Sequence, residues 1–169
     1  MTEVAPAAST EHEATEEVER LAASIYGTIV ASSVLAASAS NLSIGETCLA
    51  VIVTVLVYWL AETYAASLAA RTVARPERFG DYALHHARRT WRMVTASLAP
   101  LAALLVAAAL GAGVTSAILA ALGLSTLTLA ALGWVAAGRA GMAGLPRLGT
   151  AAASSVAGLV LIGLKLSLH

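Results

Sequence analysis

One cysteine, one lysine and one phenylalanine occur in the whole chain, and only 12% of its residues are charged. A lone Cys48 excludes an intramolecular disulfide and a thiolate metal cluster within one chain, and it reads as a small apolar helix residue. Charge at about half the share usual in a soluble domain, beside 59% hydrophobic residues, leaves too little polar surface for a water-facing globule. The composition is that of a membrane protein. Catalytic signatures are missing as well: the chain has no phosphate loop of the G-x-x-x-x-G-K type, no H-E-x-x-H, no G-x-S-x-G and no paired carboxylates in one apolar segment. No enzyme and no cofactor are expected. A secretory signal is not expected either, because the first 20 residues carry Glu3, Glu11, Glu13, Glu16, Glu17 and Glu19 against Arg20 alone.

What is present is a run of apolar segments divided by charge. Five of them, at about residues 21–39, 46–70, 93–110, 115–136 and 148–166, are long enough to cross a ~30 Å hydrocarbon layer at ~1.5 Å per helical residue. The fold class expected is all-α, a polytopic membrane protein of five transmembrane helices. A net charge of zero hides an asymmetry, since seven of the ten acids precede Ala50. Arg20, the six arginines between residues 71 and 92, Arg139 and Arg147 fall on one side of that topology and only Lys165 on the other. The positive-inside bias then places the amino terminus and the basic loop 71–92 in the cytoplasm, the carboxyl terminus outside, and the protein in the cell membrane. Residues 1–14 read as an acidic, mobile tail, with a capping box at Thr10–Glu13, and residues 15–169 as one membrane domain.

Small residues mark where helices approach. Ala23, Gly27 and Ala31 recur every fourth residue in the first segment, and Ala151, Ser154, Ser155, Gly158 and Gly163 line the last, leaving faces for neighbouring helices and for a second copy in a homo-oligomer. Gly111-Ala112-Gly113 predicts a tight hairpin between the third and fourth segments. Pro100 predicts a kink, with hydroxyls of Thr95 and Ser97 compensating. Lys165, at the end of the last segment, is expected to snorkel outward. Phe79, Tyr82, His86 and Met93 share one helical face, so part of the basic loop reads as a short amphipathic helix at the headgroups, with Trp91 at the interface.

Glu62 is the one acid inside an apolar segment, and a charge there costs at least ~2.5–3.5 kcal/mol. It is expected to face other helices or water, to find a partner, or to remain neutral. Tyr58 lies one turn away and offers a hydroxyl. Two readings stay open: a site handling protons or a cation, or a neutral carboxyl bonded to a serine or threonine of the first segment that holds the bundle together. Asp81 and His85, four residues apart, share a face and offer two ligands for a divalent cation, although the surrounding arginines repel one. Arg75, Arg78, Arg88, Arg89 and Arg92 read as anchors for anionic lipid of the bilayer, or as partners for the acidic amino-terminal end, with Glu16, Glu17 and Glu19 just after the tail. A loop this short against a membrane lacks the extended basic surface that nucleic acid needs, so none is expected.

Tyr26-Gly27-Thr28-Ile29-Val30 in the first span, Ala61-Glu62-Thr63-Tyr64 with Ser67 in the second, and Gly138-Arg139-Ala140 to Pro146-Arg147-Leu148 before the fifth resemble the vacuolar iron transporter (VIT/CCC1-like) family. The resemblance implies five spans, an interior amino terminus and a polar segment between spans two and three. Members carry an Asp-Gly pair in span one and a methionine in span two, which contribute to the metal path, and a Glu-rich helical domain between spans two and three. Here span one holds no acid, Tyr58 or its neighbours stand in place of the methionine, and the inter-span segment is short and basic. Glu62 alone carries over.

Overall fold

The computed structural model describes residues 5–38, 42–73 and 79–167, with side chains from residue 17 onward except at 73, 79, 81 and 82. Among the described residues there are seven helices and no strand: α1 (Ala5–Ala37), α2 (Ile44–Val73), α3 (Phe79–Thr90), α4 (Arg92–Ala96), α5 (Leu98–Ala109), α6 (Val114–Arg139) and α7 (Leu145–Ser167). Five stretches are long and apolar enough to cross a membrane: Glu17–Ala37, Ile44–Thr72, Ala83–Ala109, Val114–Arg139 and Leu145–Ser167. Helix α1 begins at Ala5, ahead of the capping box expected at Thr10, in a segment rich in strong helix formers.

The third stretch differs most from the sequence expectation, starting at Ala83 rather than Met93 because α3, α4 and α5 follow one another almost without a break. Two interruptions articulate it. At Trp91 the chain tightens, its carbonyl accepting from Val94 N as well as Thr95 N. At Ser97, three residues before Pro100, both the backbone N–H and the hydroxyl donate to Val94 O, at 3.2 and 2.7 Å. The break expected from Pro100 therefore falls at Ser97, whose hydroxyl adds a second bond to a carbonyl that the tightened turn already satisfies.

Helix ends follow local chemistry. Ser43 and Glu46 form a capping box at the start of α2: the Glu46 carboxylate accepts from Ser43 N and Oγ at 2.8 and 2.7 Å, and Glu46 N donates back to Ser43 Oγ at 3.2 Å. After α5 the left-handed Gly111 (φ 87°) closes a Schellman turn, with Ala112 N donating to Ala107 O and Gly111 N to Ala108 O, and the hairpin to α6 forms as the glycines predict. Gly141 (φ 73°) ends α6 the same way, and Arg147 of α7 donates from Nε to Trp134 O at 3.1 Å with its guanidinium 4.3 Å above the indole.

The core joins Leu35 of α1, Val51 and Val55 of α2, Leu104 of α5, and Ile118 and Leu122 of α6, each essentially inaccessible. Three glycines set the close approaches. A Cβ at Gly27 would collide with the Met93 backbone, and those at Gly133 and Gly158 would meet Ser154 and Thr126, which locks α1 on α4 and α6 on α7. Gly163, expected on a packing face, instead faces open space.

Lys165 corrects a second expectation. It does not reach outward: it is 1% exposed, and its ammonium donates to the carbonyl of Ser38. The reason lies at the end of α1, whose last carbonyls have no intrahelical donors and carry the negative end of the helix dipole. The lysine stem lies in the apolar bundle while its head satisfies one of those carbonyls. Helix α2, by contrast, exposes a long apolar face that includes Leu49, Val53, Val57 and Leu60.

Candidate functional site

On α2, Thr47, Val51, Val55, Thr63 and Ser67 form a buried line at four-residue spacing, with half-buried Trp59 completing it. Glu62 borders this line and is itself half-buried. Helices α2 and α3 are antiparallel, and the Trp59 and Trp91 rings meet edge to face with centroids 5.1 Å apart. One turn toward the end of α2 therefore faces one turn back along α3, which brings Glu62 level with Arg88 and Arg89. At ~1.5 Å per residue Glu62 lies about 27 Å from the start of α2.

The partners expected for Glu62 are engaged elsewhere. Tyr58 stacks on Tyr26 of α1, with centroids 6.5 Å apart and planes 27° apart, and it makes no hydrogen bond to Glu62. The hydroxyls of the first span bond back into their own helix: Ser24 to Arg20 O, Thr28 to Ser24 O, Ser32 to Thr28 O and Ser33 to Ile29 O, at 2.7–3.0 Å. Among the described residues Glu62 has no hydrogen-bond or ion-pair partner. Two neighbours on the same helix are also unsatisfied, Trp59 Nε1 and Thr63 Oγ1, both sealed from solvent, and His86 Nε2, likewise buried, lies at about this level on α3. Sequence reading gives Trp59 and Thr63 no role of their own, since the burial of their polar atoms is a matter of tertiary packing and not of spacing within α2.

The basic segment divides in two. Arg75 and Arg78 lie outside the described residues, whereas Arg88, Arg89 and Arg92 gather with His85 of α3 and Arg20 of α1 around a cavity of about 390 Å³. The side chain of Asp81 also lies outside the described residues, and His85 is exposed among these arginines; among the described residues no three His, Cys, Asp or Glu side chains converge on one point. Tail and loop do meet: Glu19 pairs with Arg89 at 3.0 Å, while Glu17 pairs with Arg139 of α6 at 2.7 Å. Nothing in the spacing of Arg20 or Arg139 marked them for this cluster, because α1 and α6 bring them in from distant parts of the chain. Compared with known proteins, the chain matches no family model, no curated protein and no solved structure.

Proposed function

We propose that the chain is a plasma-membrane protein of five spans, with its amino terminus and basic end in the cytoplasm, that moves protons or a small cation by way of Glu62. The observation that carries this reading is on one turn of α2: a half-buried carboxyl at Glu62 without a described partner, and at neighbouring positions two buried groups, Trp59 Nε1 and Thr63 Oγ1, that also lack one. Buried polar groups left unpaired cost about 1–3 kcal/mol each, so such a turn is better explained by something that visits it, a water, a proton or a cation, than by packing. With Arg88 and Arg89 at its level, Glu62 sits near the inner rim of the apolar layer, where a carboxyl can exchange with the cytoplasm and still face the bundle. Gly149 and Gly163 of α7, each with open space beside it, leave small-residue positions that support assembly with a second copy. The likeness to vacuolar iron transporters extends to Glu62 and no further along the metal path, so iron is not proposed as the cargo.

A second reading is favoured by the arginine cavity: a membrane protein that does not transport and whose basic end binds anionic lipid or a protein partner. Flux separates the two. In liposomes the wild type conducts protons or a monovalent cation between about pH 5 and 8, and Glu62→Gln, which keeps the shape of the side chain, abolishes the pH dependence of that flux. Unchanged flux in Glu62→Gln eliminates Glu62 as the site. Absence of flux in the wild type leaves the second reading.

A further inference from the structure

Three cavities at the basic end share walls. The one lined by Arg20, His85, Arg88, Arg89 and Arg92 shares Arg20 and Arg92 with a second of about 240 Å³, whose floor is Leu21, Leu132 and Val135. The second shares Glu17, Leu21 and Arg139 with a third of about 550 Å³, a groove between α1 and α6 lined by Ala22, Ile25 and Ala136. The result is one cleft that begins among guanidiniums and ends along an apolar groove on two helices long enough to cross a membrane.

From this we infer that the cleft is a binding site for a single anionic phospholipid, its phosphate held by Arg20, Arg88 and Arg92 and an acyl chain lying in the α1–α6 groove. The inference rests on the second reading above and sharpens it, from a diffuse basic surface to a built site. Charge supports an anion. Glu17 and Glu19 are taken up by Arg139 and Arg89, whereas Arg88 and Arg92 form no ion pair with a described residue. Among the described residues, Arg88 and Arg92 therefore bring two guanidiniums to the cleft with no carboxylate against them. The planar fork of arginine suits phosphate oxygens, and a free phosphate would use that end alone, leaving the adjoining groove unexplained. Sequence reading assigned the loop arginines to lipid, but neither Arg20 nor the groove, because the site forms only where α1, α4 and α6 meet.

The test uses the full chain in neutral detergent. Binding is read by native mass spectrometry and by thermal stabilisation with phosphatidylglycerol, phosphatidylcholine or inorganic phosphate. Phosphatidylglycerol is expected to bind one per chain and to stabilise, while phosphatidylcholine and inorganic phosphate at equal concentration do neither. Arg88→Gln combined with Arg92→Gln is expected to weaken phosphatidylglycerol about twenty-fivefold, at about fivefold for each guanidinium near a lipid surface. Both side chains are exposed and unpaired with described residues, so the fold tolerates the change. Ala22→Trp, at an exposed position on the groove wall, is expected to reduce phosphatidylglycerol binding without altering charge. Arg71→Gln, which removes the same charge from the end of α2 outside the cleft, should have little effect. If Arg71→Gln weakens binding by the fivefold or so expected for one cleft arginine, or Ala22→Trp leaves it unchanged, the built site is overturned and only diffuse lipid attraction survives. If phosphatidylglycerol does not bind the wild type at all, the inference falls and the second reading keeps only its protein partner, and equal stabilisation by inorganic phosphate would make the site one for a soluble anion.

Discussion

Replacing Gly27 with alanine adds one methyl group at the tightest point between α1 and α4, and its effect can be worked out from the structure. A Cβ at that position would lie 2.9 Å from the carbonyl carbon of Met93 and closer still to its oxygen. The obstruction is backbone, not the flexible end of a side chain, and Met93 is itself fully buried, so α4 must move as a unit. Overpacking of this kind costs about 1–3 kcal/mol. Against it stands the gain from removing a glycine inside a helix, about 0.8–1 kcal/mol. Gly123, in the middle of α6 with nothing within 4 Å of an added Cβ, supplies that gain without the collision. The difference between Gly27→Ala and Gly123→Ala isolates the packing cost. In a thermal melt in detergent, at roughly 2–4 °C per kcal/mol for a chain of this size, Gly27→Ala should melt several degrees below Gly123→Ala. Equal melting temperatures would mean that α1 and α4 are not in backbone contact, and the helix arrangement at the basic end would be wrong.

Two more perturbations probe the ends of the bundle. Lys165→Ala removes a charged donor from Ser38 O and should lower stability by about 1.5–3 kcal/mol, whereas Lys165→Met keeps the stem and should lose less; a melt unchanged by Lys165→Ala would show that the ammonium reaches solvent instead. The Glu17–Arg139 pair is half-exposed on both sides, so a double-mutant cycle to glutamine at each position should give a coupling of only about 0.2–1 kcal/mol at low salt. That coupling should vanish near 1 M salt, where screening acts over ~3 Å, and a salt-independent value would contradict a surface pair.

Much of the helix arrangement could be read directly because it rests on local chemistry. Apolar run length marks five segments, the Gly111-Ala112-Gly113 turn is a Schellman motif spelled in sequence, and Gly27 amid Ala23 and Ala31 announces a close approach that Met93 completes. The third segment was harder, because hydropathy falls across the arginines while the helical backbone continues through α3 into α4 with one tightened turn at Trp91. Side-chain destinations were least legible. Lys165 looked able to snorkel, yet its helix register turns it onto the open end of α1, a fact of tertiary geometry. The hydroxyls of the first span looked available to Glu62, but each had a nearer acceptor one turn back in its own helix. The pairing of Trp59 with Trp91 is what brings Glu62 level with Arg88 and Arg89; no pattern within α2 alone encodes it, nor the burial that strands the polar atoms of Trp59 and Thr63.

Transport through Glu62 and lipid held at the cleft both require that five helices cross the bilayer with the basic end inside, and reporter fusions in cells measure this most directly. A reporter active only in the cytoplasm should work when fused after Arg78 or Arg139, and should be silent after Ser43 or His169. Activity at His169, or silence at Arg139, would contradict the five-span arrangement and the functional readings built on it.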